Sequence, residues 1–206
     1  MLDGLWKDKI DRTWDRLAQP LARAGISPNQ VTTIGLLLVA ANCGLYLLHP
    51  NDLLFGVGLA ISFACDSLDG AVARAQGSAS KFGGYFDAVI DRYQEILVSF
   101  VLGWMNGWWV LIFFVTTGSL LTSYNKARTA VEIPIDNAAW PDMIERLERI
   151  VVVCGALILN SFIALPAWLG GNFLHAVLVI LAVLTHLTAL QRFARARALL
   201  LREREH

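Results

Sequence analysis

The sequence predicts an all-α integral membrane protein in which six transmembrane helices follow an N-terminal amphipathic interfacial helix. Three observations indicate this class: 56% of the 206 residues are hydrophobic, the mean hydropathy is +0.53, and the basic residues fall in clusters separated by long stretches that contain none. A chain of this length and composition leaves no room for a second domain beside the membrane domain. Residues 1–206 are therefore expected to form one domain.

The basic clusters predict the number and direction of the membrane crossings. They recur at intervals of two crossings, and the turns between them lack Lys and Arg, so the basic ends and both termini are expected on the cytoplasmic side of a multi-pass protein of the inner membrane. Each interval holds two apolar stretches near the ~20 residues that a bilayer core requires. The predicted spans are residues 30–49, 53–73, 83–104, 108–130, 147–166 and 171–192.

The segments outside the predicted bundle, residues 30–192, are short. Residues 1–25 are expected to form a juxtamembrane helix, in which apolar residues at helical spacing oppose charged ones, as in a helix that lies among lipid headgroups. The alternative is a helix that packs against the domain. The same alternation of charged and apolar residues argues against a cleavable signal peptide, and residues 193–206 are expected to be a basic cytoplasmic tail.

The predicted outer turns are marked by polar residues and prolines. They comprise residues 49–52, 105–107 and 166–172. Indole rings prefer the membrane interface, and four tryptophans lie beside the last two turns: Trp104, Trp108, Trp109 and Trp168.

Four aspartates in the second and third predicted spans are the strongest functional signal. Carboxylates are costly in hydrocarbon, so Asp66, Asp69, Asp87 and Asp91 require charge compensation and indicate a functional site. By helical spacing, positions 66, 69 and 73 share one face, and positions 83, 87 and 91 share another. A short link around Gly77 makes the two helices an antiparallel hairpin, so both acidic faces are expected to meet near the cytoplasmic surface.

Converging carboxylates predict a metal site. Four of them would repel one another strongly unless cations neutralise them, and oxygen-only ligands favour Mg²⁺, Mn²⁺ or Ca²⁺. Four acids suit two ions about 3.5–4 Å apart, an arrangement typical of phosphoryl chemistry. The alternative is a set of salt bridges at the membrane edge, made with Arg74, Lys81 and Arg92.

The spacing of these residues also resembles a known family signature. The pattern DxxDGxxAR, followed after eight residues by GxxxDxxxD, begins at Asp66 and is similar to that of the CDP-alcohol phosphotransferase family, also called CDP-alcohol phosphatidyltransferases. The resemblance implies an enzyme of phospholipid biosynthesis that transfers a substituted phosphate from a CDP-linked lipid, such as CDP-diacylglycerol or its ether equivalent, to an alcohol and releases CMP. It also implies two divalent cations, Mg²⁺ or Mn²⁺, and a homodimer.

The resemblance assigns roles residue by residue. Asp66, Asp69 and Asp87 would hold the metal ions, and Asp91, also close to the metals, would be the general base. For Asn29 and Thr32, which the resemblance implies to bind the donor, helix initiation and capping are an equally good explanation. The residues implied to bind the CDP donor are Asn29, Thr32, Asp66, Asp69, Gly70, Ala73, Arg74 and Gly83.

A second polar set predicts the acceptor. The segments 123–128 and 145–149 are similar to those of family members that accept inositol phosphate, namely phosphatidylinositol phosphate synthases and di-inositol-phosphate phosphate synthases. Cations from three helices could bind one acceptor phosphate. The alternative is that they flank the spans and extend to lipid phosphate, which is the preferred interpretation for Arg149, Arg195 and Arg197. The predicted acceptor residues are Ser123, Lys126, Arg128, Arg146 and Arg192.

Two other hypotheses about the function remain open. One is the same chemistry with glycerol 3-phosphate, serine or an unphosphorylated alcohol as acceptor. The other is a divalent-cation carrier, which the lack of acids in the outer halves of the spans disfavours. His175 and His186 are expected to be packing groups rather than ligands, and no nucleic-acid partner is expected.

Overall fold

The structure, a computed structural model, describes residues 2–135, 144–166 and 171–202, with side chains from Thr13 to Leu201. The described residues are helical apart from short connections and an isolated β-bridge between Ala164 and Asn172. This confirms the all-α prediction. The helices are α1 (Leu2–Arg23), α2 (Pro28–Leu48), α3 (Asp52–Asp66), α4 (Asp69–Gln76), α5 (Lys81–Asn106), α6 (Trp109–Glu132), α7 (Arg146–Asn160) and α8 (Phe173–Arg202).

Helix α2 begins with a capping box formed by Ser27 and Gln30. The Ser27 side chain accepts a hydrogen bond from the backbone N–H of Gln30, and the Gln30 side chain accepts one from the backbone N–H of Ser27. Pro28 occupies the first turn, where its missing N–H is harmless. Of the alternative explanation for Asn29 and Thr32, the capping part is wrong because Ser27 is the N-cap, while both residues do lie in the first turns of α2.

The second predicted span, residues 53–73, is not one continuous helix. Helix α3 ends at Asp66 and α4 begins at Asp69. The hydroxyl and the backbone N–H of Ser67 both donate to the Phe63 carbonyl, and Leu68 N–H bonds to the Cys65 carbonyl three residues back. The bond to the residue three positions back marks a tighter turn where the α-helical pattern is interrupted. The expectation that positions 66, 69 and 73 lie on one face of a continuous helix is consequently wrong.

The fifth predicted span, 147–166, is also shorter than expected, because α7 ends at Asn160. The Asn160 side chain accepts a hydrogen bond from the backbone N–H of Leu174 in the first turn of α8. Asn172 similarly accepts from the N–H of His175, so α8 begins with two side-chain caps. Trp168 lies outside the described residues. Helix α8 continues to Arg202, so the first part of the predicted tail is helical.

Three helical stretches among the described residues are long and apolar enough to cross a membrane: Pro28–Leu48, Asp52–Gln76 and Phe173–Leu201. The protein is thus an integral membrane protein. The remaining predicted spans fall on α5, α6 and α7.

The chain forms two compact units, residues 1–101 and 102–206. In the first unit, α1 packs on α4: Ala18 is fully buried in a cluster with Val31, Ala71 and Val72, and Trp14 and Leu21 pack against it. These contacts support the packing interpretation for the C-terminal half of α1. Its position at the membrane interface remains a prediction.

The second unit is organised around α8, which packs against α6 and α7. Gly118 permits the close approach of α6 and α8, because a Cβ atom there would lie 2.3 Å from Thr185 Oγ1. Thr122 donates to the Thr185 carbonyl, and the Asn125 amide donates to the Ala189 carbonyl. Buried side-chain hydrogen bonds to backbone carbonyls therefore fix the pairing of these two helices.

The two histidines of α8 have packing roles, as expected. The His186 ring is 3.1 Å from the Phe114 carbonyl oxygen through Nε2, and the His175 ring meets Trp108 edge to face with centroids 4.8 Å apart. Trp104 and Trp109 also meet edge to face.

Candidate active site

Three of the four predicted aspartates converge in the first unit. Asp66, Asp87 and Asp91 each offer a carboxylate oxygen, and these oxygens lie within 4.8 Å of one another. Asp66 is 2% exposed and Asp91 is 7% exposed, whereas Asp87 is half-buried. We call this group the carboxylate cluster.

The local helices explain why these three side chains meet. Asp66 is the last residue of α3, and Asp87 and Asp91 are one helical turn apart on α5. Gly35 of α2 lies directly against Asp66, because a Cβ atom at Gly35 would be 2.4 Å from Asp66 Oδ1 and 2.8 Å from its Cβ. Sequence reasoning missed Gly35. In the sequence, Gly35 is only one glycine inside an apolar span, and glycines are common in membrane helices.

The fourth aspartate occupies a different position. Asp69 begins α4, beyond the interruption, and its Oδ2 accepts a hydrogen bond from the hydroxyl of Thr32 at 2.7 Å. Thr32 is 1% exposed and also donates to the Pro28 carbonyl. The structure therefore ties α2 to α4 through Thr32 and Asp69. A metal-binding role for Asp69 stays a prediction.

A cavity of about 470 Å³ lies in the same unit, with both Asp69 and Asp87 in its wall. Its size falls in the range of small-molecule and cofactor sites. Of the residues predicted to bind the donor, only Asp66 is absent from the wall. The cavity is lined by Asn29, Thr32, Asp69, Gly70, Ala73, Arg74 and Gly83 of that set.

The cavity wall also contains polar residues that sequence reasoning did not select. Ser27, Gln76, Ser78 and Ser80 contribute to it. Ser80 accepts a hydrogen bond from the Gly83 N–H at 3.0 Å, which fixes the first turn of α5. The serine-rich link between α4 and α5 was the available signal for this part of the wall.

Arginines lie beside both the cluster and the cavity. Arg92 Nη2 is 3.5 Å from Asp91 Oδ2 and 3.7 Å from Glu95 Oε1, so this charge is shared between two carboxylates. Arg74 Nη2 lies 2.9 Å from Asp15 Oδ1 of α1. Of the salt bridges that the alternative to a metal site proposed, the structure shows the one between Arg92 and Asp91, while Arg74 pairs with an acid outside the predicted set.

The carboxylate cluster suits a divalent cation. All its ligand atoms are oxygens, which hard cations prefer. Oxygens bound to one such ion are separated by up to about 5 Å, given metal–oxygen distances of about 2.0–2.6 Å. The spacing of the three carboxylates agrees with that limit.

The predicted acceptor residues all belong to the second unit. Arg192 of α8 is 5% exposed, and its Nη1 donates to the Thr122 carbonyl of α6. Ser123 donates to the Ser119 carbonyl, and Arg128 is half-exposed and pairs with Glu132. Convergence of the cations on one anion stays a prediction.

The burial of Arg149 contradicts one sequence-based interpretation. It was expected to extend from the bundle to lipid phosphate, but it is 5% exposed in the first turns of α7. That interpretation is wrong for Arg149, because a side chain that reaches lipid headgroups cannot be buried among helices. For Arg195, which is partly buried, and Arg197, which is exposed, it stays a prediction.

Buried carboxylates that suit a divalent cation, in the same unit as a cavity of small-molecule size, are typical of a metal-dependent membrane enzyme. The sequence model of the family named CDP-alcohol phosphatidyltransferase matches residues 25–191. The chain belongs to this family and is a transferase.

Curated relatives with high similarity come from archaea and mycobacteria. The chain is 36% identical over 172 residues to the archaetidylinositol phosphate synthase of Pyrococcus horikoshii, a match covering 79% of this chain and 89% of the relative. It is 35% identical over 205 residues to the phosphatidylinositol phosphate synthase of Mycobacteroides abscessus, covering 94% and 87%.

Two solved structures of a phosphatidylinositol phosphate synthase have a fold similar to that of this chain. Phosphatidylinositol phosphate synthase of Mycobacterium tuberculosis with bound CDP-DAG superposes with a TM-score of 0.76 and 25% identity, covering 90% of this chain and 94% of the other. The structure of the same enzyme in complex with manganese and citrate gives a TM-score of 0.75 and 26% identity, covering 89% and 88%.

Proposed function

We propose that this enzyme transfers a phosphatidyl-type group from a CDP-linked lipid such as CDP-diacylglycerol to the hydroxyl of inositol phosphate or a similar polyol phosphate, and releases CMP. The observation that supports the donor most directly is the cavity. It brings together residues from α2, α4 and α5 that are far apart in sequence, next to the carboxylate cluster. The names of the relatives support inositol phosphate as acceptor.

The carboxylate cluster is the proposed metal site. Asp66, Asp87 and Asp91 would hold one divalent cation, and Asp69, oriented by the Thr32 hydroxyl, would contribute to a second. Mg²⁺ or Mn²⁺ supplies neutralisation of the diphosphate and orientation of the reacting oxygens. The manganese complex of the M. tuberculosis enzyme supports this assignment.

The cavity is the proposed site for the CDP part of the donor. Gly70 and Ala73 present little or no side chain, so the nucleotide can approach the backbone of α4 closely. Arg74 would bind the diphosphate, and a guanidinium can donate two hydrogen bonds to one phosphate. Asn29 and Gly83 complete the wall from α2 and α5.

Asp91 is the proposed general base. It takes the proton from the acceptor hydroxyl, whose oxygen attacks the β-phosphorus of the donor and displaces CMP. Asp91 is 7% exposed, and the Arg92 guanidinium on the next residue lies 3.5 Å from its carboxylate. A buried carboxylate with an adjacent cation has a fixed orientation, which proton transfer requires.

The acceptor phosphate is proposed to bind to cations of the second unit. Lys126 lies on α6, Arg146 begins α7 and Arg192 lies on α8, and α8 packs against both other helices. Arg192 is anchored on the Thr122 carbonyl, so its charge is held in place before the acceptor arrives. Ser123 and Arg128 are the remaining proposed contacts.

The membrane arrangement is also part of the proposal. Six crossings, with both termini and the active site facing the cytoplasm, account for the distribution of basic residues. The proposal also includes a single domain over residues 1–206, an interfacial position for α1 and a homodimer. Cysteine accessibility on the two sides of the membrane would test the topology.

The first test is CMP release by the purified protein. CDP-diacylglycerol and Mg²⁺ are supplied with inositol 1-phosphate, inositol, glycerol 3-phosphate or serine. Release that requires inositol 1-phosphate supports the whole proposal. Release with another acceptor retains the donor chemistry and overturns the acceptor assignment, and an absence of release with every acceptor contradicts CDP-diacylglycerol as the donor.

A further inference from the structure

The ion pair between Asp15 and Arg74 connects the N-terminal helix to the wall of the donor cavity. Asp15 Oδ1 lies 2.9 Å from Arg74 Nη2, although the two residues are 59 positions apart in the sequence. Their side chains are 49% and 54% exposed. Asp15 is not part of the family signature, and it does not itself line the cavity.

Independent contacts hold α1 and the link that follows it against α4, on the C-terminal side of Asp15. The Gln76 amide donates to the Ile26 carbonyl at 2.9 Å, in the link that follows α1. Ala18, one turn after Asp15, is fully buried with Ala71. The docking of α1 therefore places the backbone at Asp15 next to α4, within reach of Arg74.

The other terminal nitrogen of Arg74 lies near Gly70, a residue of the cavity wall. A Cβ atom at Gly70 would lie 3.7 Å from Arg74 Nη1, so this nitrogen lies over the glycine. Gly70 and Arg74 both line the cavity, as does Asp69. The guanidinium thus contacts Asp15 through Nη2, while Nη1 lies close to Gly70, which lines the cavity together with Arg74.

We propose that Asp15 is a positioning residue for donor binding, which acts by holding the Arg74 guanidinium at the cavity wall. This inference rests on the proposed function. Arginine has a long side chain with many rotamers, and a half-exposed one would lose much of this freedom on binding a phosphate. Because Asp15 already restricts Arg74, less freedom is lost when the donor binds.

The expected effect follows from the exposure of the pair. Exposed ion pairs contribute little, so replacing Asp15 by Asn should raise the donor KM by about threefold to fivefold. The acceptor KM should not change, and kcat should change less than the donor KM. Asp15→Glu keeps the carboxylate and should retain most of the donor affinity.

The experiment compares Asp15→Asn, Arg74→Ala and the double variant, with direct binding of CDP-diacylglycerol measured beside CMP release. If Asp15 acts through Arg74, Asp15→Asn has no further effect on donor binding once Arg74 is alanine. Asp52→Asn is the matched control. It changes a partly buried carboxylate in the first turn of α3, where Asp52 accepts a hydrogen bond from Tyr46.

Three results for Asp15→Asn would overturn the inference that Asp15 positions Arg74. An unchanged donor KM in Asp15→Asn overturns the inference, and so does an equal effect in the Arg74→Ala background. A lowered donor KM also overturns it, because the carboxylate would then compete with the diphosphate for Arg74. If the unaltered protein fails to bind CDP-diacylglycerol, the proposed function fails and the inference fails with it. If the unaltered protein and Asp15→Asn bind CDP-diacylglycerol equally well, the inference alone is overturned.

Discussion

Gly35→Ala is expected to inactivate the enzyme by displacing Asp66. A Cβ atom at position 35 would lie 2.4 Å from Asp66 Oδ1, 2.8 Å from Asp66 Cβ and 2.9 Å from Asp66 Cγ. Rotation of the carboxylate could relieve the first contact, but not the contact with Cβ, which is attached to the α3 backbone. Since carbon atoms pack at about 3.5–4.0 Å, the two helices must separate by about 1 Å.

The size of this displacement decides the expected loss. Metal–ligand distances are held within about 0.2 Å, and a misplacement of about 1 Å in a catalytic group can reduce the rate about 100-fold. That loss corresponds to about 2.7 kcal/mol of activation free energy. Overpacking itself costs about 1–3 kcal/mol of stability. Activity should therefore fall much further than the folded fraction.

The assay is CMP release as a function of Mg²⁺ concentration, together with thermal unfolding of the same preparation. Gly44→Ala is the matched control, because it lies on the same helix and nothing is within 4 Å of the added Cβ. Gly44→Ala should behave as the unaltered enzyme. Gly35→Ala with unchanged kcat and Mg²⁺ dependence would refute the assigned contact between α2 and the carboxylate cluster.

Four other outcomes are expected. Asp91→Asn keeps one oxygen that can bind the cation but removes the base, so CMP release should be abolished while CDP-diacylglycerol binding largely persists, and near-normal turnover would rule out its role as base. Lys126→Ala should raise the acceptor KM about tenfold or more through loss of a charge-assisted contact, whereas an unchanged acceptor KM would favour an interaction with lipid. Thr32→Val removes the hydroxyl that binds Asp69 at 2.7 Å, so the donor KM should rise about tenfold; an unchanged value would show that this hydrogen bond does not orient Asp69 for binding. A chelator should stop turnover and Mg²⁺ or Mn²⁺ should restore it, and full activity in chelator would contradict the metal site.

The helices were largely predictable because hydrophobic length and the positions of charge are properties of the chain itself. Helices α2, α5 and α6 begin and end within a few residues of the predicted spans. The interruption between Asp66 and Asp69 was not predictable, because the sequence there contains no proline or glycine before Gly70 that would mark a helix end. The early end of α7 was missed because the Asn160 side chain bonds to the start of another helix.

The site was predictable where spacing along one helix determines it. Asp87 and Asp91, four residues apart on α5, take part in one carboxylate cluster as expected. Asp69 is not one of the three aspartates of that cluster, which the spacing argument did not anticipate because it assumed an unbroken helix, and its role in metal binding stays a prediction. The burial of Arg149 was missed too, because charge patterning does not show which face of a helix meets its neighbours.

The sequence by itself determined the class of protein, the signature of its family and the residues whose chemistry suits metal and phosphate, because composition and spacing are local properties. Only the tertiary structure decided that Gly35 supports Asp66, that Thr32 holds Asp69 and that Asp15 pairs with Arg74. These contacts join residues 31 to 59 positions apart. Such pairs are set by how helices pack, and packing depends on the shapes of all the side chains between them.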